Sequence, residues 1–574
     1  MPAITAKPIT ATPITARPLT AYRLGESTEG ANPLVWQALY YDSDGVLQSQ
    51  ITGAGTPTWA HTSSLLLPDW EGIYRTIPAG TAPITGARKV ENLLSYSEDF
   101  SNVKWAKRGL TPDYGHTDPN GGTTAVRLTE NDTDNNPAFY YNSITADILD
   151  RTCSVWLKAE SGTPTIVLCT NSVSGQATIT LSTEWQRFSI NNASSNNKGM
   201  HVGGFSSITR GSGLVFYVAF CQNENVSAQS NVNPSEYVPT TTAAASKFFN
   251  YENGNQVTSN VVTEAQGDPL TDWWFQCQPA KTNKALYSND ASNAAWVKTD
   301  MTGAKNAVGL DGAPNTGSTL TATGANATAI QTVTSASADH VARFFLRRKT
   351  GTGTVNICCD GSTWSEAVLT ADYQEFMVLA NTTNPQIGVQ IVTSGDAVEM
   401  GNGECYTATI PVIRGSSPII TADSTVSTTA VYGTFDIANH SDTKGAYMAT
   451  VKKVLSSTEQ AANAAGGQII AGNRLYYADS SAAHSANDGT TTVSVTDTWA
   501  AGATVKVGVA YQDGGNMVAV QDGTAGTPDS YDGDWSATFT IGASANKAPI
   551  LIKDVRRYNL SYTAGLAKLL EITA

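Results

Sequence analysis

A twenty-residue block occurs twice in this chain. Residues 91–110 read ENLLSYSEDFSNVKWAKRGL and residues 282–301 read TNKALYSNDASNAAWVKTDM. Aligned, they share Asn92/Asn283, Tyr96/Tyr287, Ser97/Ser288, Asp99/Asp290, Ser101/Ser292, Asn102/Asn293, Trp105/Trp296 and Lys107/Lys298 at one offset, 296 minus 105, or 191 residues. Further pairs follow at nearly that distance: Leu157/Leu346, Gly162/Gly351, Cys169/Cys358, Leu181/Leu369, Gln186/Gln374 and Phe188/Phe376. A period this long is a whole domain, so the chain must contain two homologous units.

At 574 residues the chain exceeds what one hydrophobic core organises, and a third unit is expected. Charged residues make up only 15%, while Gly, Ser, Thr, Asn and Ala dominate, the composition of short strands joined by turns. Within copy one, Cys153–Lys158, Thr165–Cys169, Ala177–Leu181, Trp185–Ile190 and Leu214–Phe220 read as strands, and copy two offers similar runs. The expected fold class is all-β: tandem β-sandwich (jelly-roll) domains with an extended N-terminal arm.

That arm, residues 1–24, repeats Pro-Ile/Leu-Thr-Ala every five residues, at Pro8-Ile9, Pro13-Ile14 and Pro18-Leu19, with Ile4 in step. Proline at this spacing forbids helix and leaves an extended strand that cannot bury its own apolar residues. It reads as a docking arm that seats Ile4, Ile9, Ile14 and Leu19 on another subunit; the alternative is a flexible tail. The remaining divisions are a hairpin lead-in over 25–90, copy one over 91–240, a second lead-in over 241–281, copy two over 282–420 and a third sandwich over 421–574. Leu566, Leu569 and Leu570 mark a short helix at the end of that sandwich. Asp44-Gly45 and Asn253-Gly254 are the lead-in hairpin turns.

A net charge of −14 without a basic cluster argues against a nucleic-acid partner or an anionic membrane. The longest apolar run, Leu214–Phe220, is too short to span a bilayer, and Pro2, Thr5 and Lys7 stand where a signal peptide needs an apolar core. This is the pattern of a chain made in a cytoplasm. Seven cysteines without a C-x-x-C pair read as buried free thiols.

Gly86-Ala87-Arg88 running into Asn92-Leu93-Leu94-Ser95-Tyr96-Ser97-Glu98-Asp99-Phe100, and Ala280-Lys281-Thr282-Asn283 running into Leu286-Tyr287-Ser288-Asn289-Asp290, resemble a motif of many tailed-bacteriophage virion proteins, where it opens a carbohydrate-binding-module-like jelly roll. Val155-Trp156-Leu157-Lys158, Trp185-Gln186-Arg187-Phe188 and Tyr237-Val238-Pro239-Thr240 resemble its later elements. Copy two departs there, with Tyr373-Gln374-Glu375 and Ile419-Ile420-Thr421. The third unit is similar to laminin-G or concanavalin-like sandwiches through Trp499-Ala500-Ala501-Gly502 and Ile552–Tyr558. The resemblance implies a virion structural protein, a head or tail fibre or other appendage that attaches to host-surface glycan. It also implies a homotrimer held to other virion proteins through the arm. The alternatives are a non-adhesive decoration or baseplate protein and a polysaccharide-degrading tailspike.

Trp105, Trp296, Trp156 and Trp185 are expected in the core. The aromatics of turn-rich segments, Phe139, Tyr140, Tyr141, Trp273 and Trp274, are the glycan-stacking candidates, with packing against the next domain or a sister subunit as their alternative use. The run Glu130–Asn136 and Asp529, Asp532 and Asp534 carry oxygen ligands without the spacing of a calcium loop. They read as solvated turns. Six scattered histidines and no nucleophile elbow, H-E-x-x-H or phosphate loop give no catalytic constellation, so no enzyme activity, cofactor or metal is expected.

Overall fold

The recurring block is a set of hydrogen-bond staples. In the computed structural model, Asn92 is fully buried. Its side-chain amide donates to the carbonyls of Cys221 and Val238, both at 2.9 Å, and its Oδ1 accepts from the amides of Leu94 and Asn223. Asn283 repeats this with the Ile419 carbonyl and the Ala285 and Cys405 amides. Ser97 and Thr240 exchange two bonds that tie the opening turn to the closing segment, as Ser288 and Thr421 do in copy two. Trp105 and Trp296 fill the core and donate their indole N–H to Tyr96 O (2.7 Å) and Tyr287 O (3.1 Å). Both tyrosines are left-handed, φ 56° and 47°, a strained backbone that the indole bond helps fix.

The structure describes residues 34–36, 40–41, 47–48, 58–69, 72–131, 137–141, 150–170, 176–192, 199–203, 213–226, 232–252, 255–257, 274–436, 443–462, 466–470, 475–477, 483–533, 538–542, 548–558 and 560–574. The proline-repeat arm (Ile4, Pro8, Ile9, Pro13, Ile14, Pro18, Leu19), Trp273 and most of the Asn-Asp run lie outside them.

The chain divides into two compact units, one built on Lys89–Phe248 and the other on Phe249–Ala574 with residues drawn from 22–88. In the first unit, ten strands from Trp105–Arg108 to Val215–Asn225 form two antiparallel five-stranded sheets. Counting along the module, one sheet pairs the second, third, tenth, fifth and eighth strands; the other pairs the seventh, sixth, ninth, fourth and first. Copy two, from Val297–Thr299 to Ala397–Thr407, has the same ten strands in the same two orders. The duplication is one of topology as well as of sequence. Between the sheets of copy one, Phe139 stacks on Trp105 at 4.9 Å and Phe100 meets both rings edge-on. All seven cysteines are free and buried.

The third sandwich differs from the linear partition. Its larger sheet runs through Gly515–Gln521, Thr504–Gln512, Lys444–Lys452 and Ile550–Tyr558, and then continues into Trp274–Cys277 and Ile84–Thr85. Leu34–Trp36 also pairs with Ile550–Tyr558, and Thr58–Trp59 pairs with Gly433–Asp436 in the opposite sheet. Both lead-ins therefore contribute strands to the C-terminal sandwich, while Leu65–Pro68 and Tyr74–Ile77 pair as a separate hairpin. The physical reason is the sheet edge: an unpaired row of N–H and C=O groups is satisfied only by another strand, however distant in sequence. The expected hairpins also form, Tyr40–Tyr41 with Leu47–Gln48 and Asn250–Glu252 with Asn255–Val257. The terminal helix Tyr562–Thr573 buries Leu569 on Ala446, Met448, Ala510 and Val518. No helix among the described residues is long and apolar enough to cross a membrane.

Candidate functional site

Alternation along Arg151–Ala159 turns Cys153, Val155, Leu157 and Ala159 into the core of copy one, so Trp156 and Lys158 lie on the other face of the sheet beside buried Ser154. Tyr217 lies opposite Lys158 on the next strand, and Trp185 stands at the start of the edge strand. The Lys158 ammonium lies 5.1 Å from the Trp185 ring centre and 4.7 Å from that of Tyr217. Arg127 and Glu160 close one side as an ion pair at 2.7 Å. That bond draws the Glu160 carboxyl below and the Arg127 guanidinium above their usual values. Trp156, Trp185 and Tyr217 are half-buried, which corrects the expectation that the two tryptophans are core. Trp156 and Trp185 pack with Tyr237 against Ala125, Ala219 and Phe220, a cluster apart from the main core. Trp105, Trp296 and Trp499 all donate their indole N–H to a carbonyl, whereas those of Trp156 and Trp185 have no partner among the described residues. An indole N–H left unbonded is tolerable only where water or a ligand reaches it.

Copy two carries the same face with other residues. Its register places Phe345 at the position of Trp156, Arg347 at Lys158, Tyr373 at Trp185 and Glu399 at Tyr217. Here the groups are spent on each other. Arg347 lies 4.4 Å from the Tyr373 ring and pairs with Glu399 at 2.6 Å, while the Tyr373 hydroxyl donates to Val308 O. Phe345 is buried beneath Tyr74, 5.7 Å away edge-on, which belongs to the hairpin of Leu65–Pro68 and Tyr74–Ile77. The Tyr74 amide donates to Leu310 O, and the Leu66 amide to Ser417 Oγ. Beside Phe345, buried Arg343 reaches Glu375 at 2.6 Å and Glu404 at 3.3 Å. Burial works against its charge, but the two carboxylates more than offset it and raise its pKa. Lys281 bonds Ser416 and Ser417 close by; burial, aided by Arg343, pushes its ammonium well below the usual lysine range.

The second unit also holds a cleft of about 410 Å³, within the range of roughly 300–1,000 Å³ typical of small-molecule sites. Tyr74, Thr85, Trp274, Gln276, Ser416 and Lys452 line it, with Asp69 at one side. Asp69 is engaged: Oδ1 accepts from the Ile73 amide and Oδ2 from Arg75 Nε at 3.1 Å. The Lys452 ammonium sits 5.8 Å from the Trp274 ring centre.

The sequence candidates separate accordingly. Phe139 and Tyr141 point into the core of copy one and offer no ring face to a ligand, a correction to their reading as stacking residues. Tyr141 has a structural task, its hydroxyl accepting from the Ser95 amide; in copy two Gln331 holds the matching Leu286 amide. Tyr140 faces out, half-buried and stacked on His201 at 4.7 Å. Trp274 lines the cleft, 6% exposed, as a wall and not as an open platform. The face of Trp156, Trp185 and Tyr217 escaped the sequence reading because alternation within a strand does not say which set points inward.

No family model matches the chain, and no curated protein sequence is significantly similar to it. Among solved structures it is similar to one described as a receptor binding domain, with 10% identity over 25% of this chain and 39% of that one, at a TM-score of 0.20. It is also similar to the N-terminal CBM22-1-CBM22-2 tandem domain of Paenibacillus barcinonensis Xyn10C, with 10% identity over 55% of this chain and 97% of that one, at 0.21. A third is the mycobacterial arabinofuranosyltransferase AftD, with 11% identity over 86% of this chain and 38% of that one, at 0.17. The chain spans about two fifths of the receptor binding domain's length. At these TM-scores the likenesses carry no argument.

Proposed function

We propose that the chain is a structural protein of a tailed-bacteriophage virion, a head or tail fibre or similar appendage, and that it attaches to host-surface glycan without cleaving it. The carrying observation is the outer face of copy one, where half-buried Trp156, Trp185 and Tyr217 stand around Lys158 with two indole donors unbonded among the described residues. Flat aromatic rings beside polar donors suit a saccharide, which presents C–H faces to the rings and hydroxyls to the rim. The duplicated opening motif is the support for a phage origin. Weak contacts at such a face gain strength when several copies of the chain act together, as in a trimer seated on other virion proteins by the proline-repeat arm.

The test is a glycan array probed with the purified full chain and with Trp185→Ala. The variant should melt within a few degrees of the parent and retain host saccharides at least about ten-fold less well, about 1.4 kcal/mol. Equal retention by the two proteins removes this face from the account.

A further inference from the structure

The cleft of the second unit has polar chemistry that the fold leaves unused. Three of its lining residues carry a group with no hydrogen-bond partner among the described residues: the Lys452 ammonium, the Tyr74 hydroxyl and the Gln276 Oε1. The Gln276 amide nitrogen, by contrast, donates to Gln278 Oε1 and Gly415 O. Burial holds the Tyr74 phenol above its usual value, so it stays a neutral donor.

Charge narrows the ligand. Asp69 is matched by Arg75 at 3.1 Å, and behind Ser416 the Arg343 guanidinium faces Glu375 and Glu404. Lys452 is the cation that lines the cleft; it has no carboxylate contact among the described residues, and its ammonium lies 5.8 Å from the Trp274 ring centre. A lone ammonium is a point charge suited to a monoanion, whereas a phosphate dianion calls for several cations or an arginine fork. Gln276 Oε1 and the Tyr74 hydroxyl then accept from and donate to hydroxyls.

We propose that this cleft binds an acidic saccharide unit, a hydroxylated ring bearing one carboxylate that pairs with Lys452. The site is separate from the aromatic face of copy one and stands or falls independently of it.

Titration calorimetry of the full chain with a glucuronic-acid oligosaccharide, against a neutral glucose oligosaccharide of equal length and linkage, tests this. The parent should bind the acidic probe at least ten-fold more tightly, with a preference that falls as salt is added. Lys452→Gln should erase that preference, Lys452→Arg should keep it, and Trp185→Ala should leave it unchanged. Absence of the preference in the parent, or its survival in Lys452→Gln, overturns the proposal. Loss of the preference in Trp185→Ala moves the acidic site to copy one and overturns it equally.

Discussion

The two jelly rolls share ten strands, two sheet orders and one set of hydrogen-bond staples, yet the outer faces of their corresponding sheets are put to opposite uses. In copy two the face is covered by the chain itself: Tyr74 sits on Phe345, Arg347 is locked between Tyr373 and Glu399, and Arg343 bridges two carboxylates. In copy one the matching positions hold Trp156, Trp185, Lys158 and Tyr217, half-buried, with the Lys158 ammonium over the Trp185 and Tyr217 rings and the two tryptophans resting on Ala125, Ala219 and Phe220. Duplication kept the frame, where any change leaves buried groups unbonded. The faces diverged, since a half-exposed position tolerates most residues. One copy became a joint and the other a free surface.

The sharpest way to break this contrast is to unlock the joint. Arg343→Met leaves Glu404 buried without its cation, at an expected cost of about 3–5 kcal/mol. In copy one the three positions are Ser154, Gln222 and Arg187, with the guanidinium moved to the edge strand and donating to Ser154 Oγ at 2.9 Å. Arg187→Met removes a half-exposed group and should cost about 1 kcal/mol. Native-state hydrogen exchange read separately in the two modules checks both values; equal losses would contradict the division of labour.

Acid should separate the modules next. Burial, with Arg108 adding repulsion, pushes the His201 imidazole down to about 4. Because its folded value lies below its unfolded one, the stability it underwrites is full above about pH 6.5 and is lost as pH falls through about 4. Copy two has Gly388 at this place. Its own buried His340 is also lowered, chiefly by burial, though its bond to the Ala338 carbonyl favours the charged form. Copy one should therefore loosen first on acidification, and His201→Gln should flatten that fall. Melting curves across this range, followed by hydrogen exchange, decide it; a fall unchanged in the variant would clear His201.

Binding offers a third contrast, smaller in energy. Trp185→Ala should weaken adhesion to host cells about ten-fold, while Tyr373→Ala, its counterpart in copy two, should leave adhesion unchanged and lower stability by about 1–3 kcal/mol. Cell-binding titrations with both variants measure this, and parallel losses would dissolve the contrast.

The smallest expected difference lies within the repeated block. The Lys298 ammonium donates to the carbonyls of Ala291, Asn293 and Trp296 at 2.7–3.1 Å and so ties its turn together. Lys107, its equivalent, makes no such bond among the described residues and lies 5.7 Å from the Tyr114 ring centre. Lys298→Met should cost about 1 kcal/mol and Lys107→Met a few tenths, by urea midpoints.

Residues that recur identically were the legible ones. Asn92/Asn283, Trp105/Trp296 and Ser97/Ser288 mark the staples because each has one geometric task that no other side chain performs there. Jobs done by different residues were hidden: Tyr141 and Gln331 hold the same amide but share no sequence signal. The outward setting of Trp156 and Trp185 was also hidden, since a β pattern fixes alternation but not polarity when both sets are apolar or amphipathic. Pairing of Ile84–Thr85 with Trp274–Cys277, and of Trp274–Cys277 with Ile550–Tyr558, spans hundreds of residues and leaves no local trace. The cleft that includes Trp274 exists only through that pairing, so a residue could be suspected while its neighbours could not.

Oxidative footprinting of the full chain with and without host surface polysaccharide reads which of the two faces meets the glycan. Trp156, Trp185 and Tyr217 should be protected on adding polysaccharide, with Tyr373 unchanged. Full reactivity of those three rings at saturating polysaccharide, or protection centred on Tyr373, would contradict it.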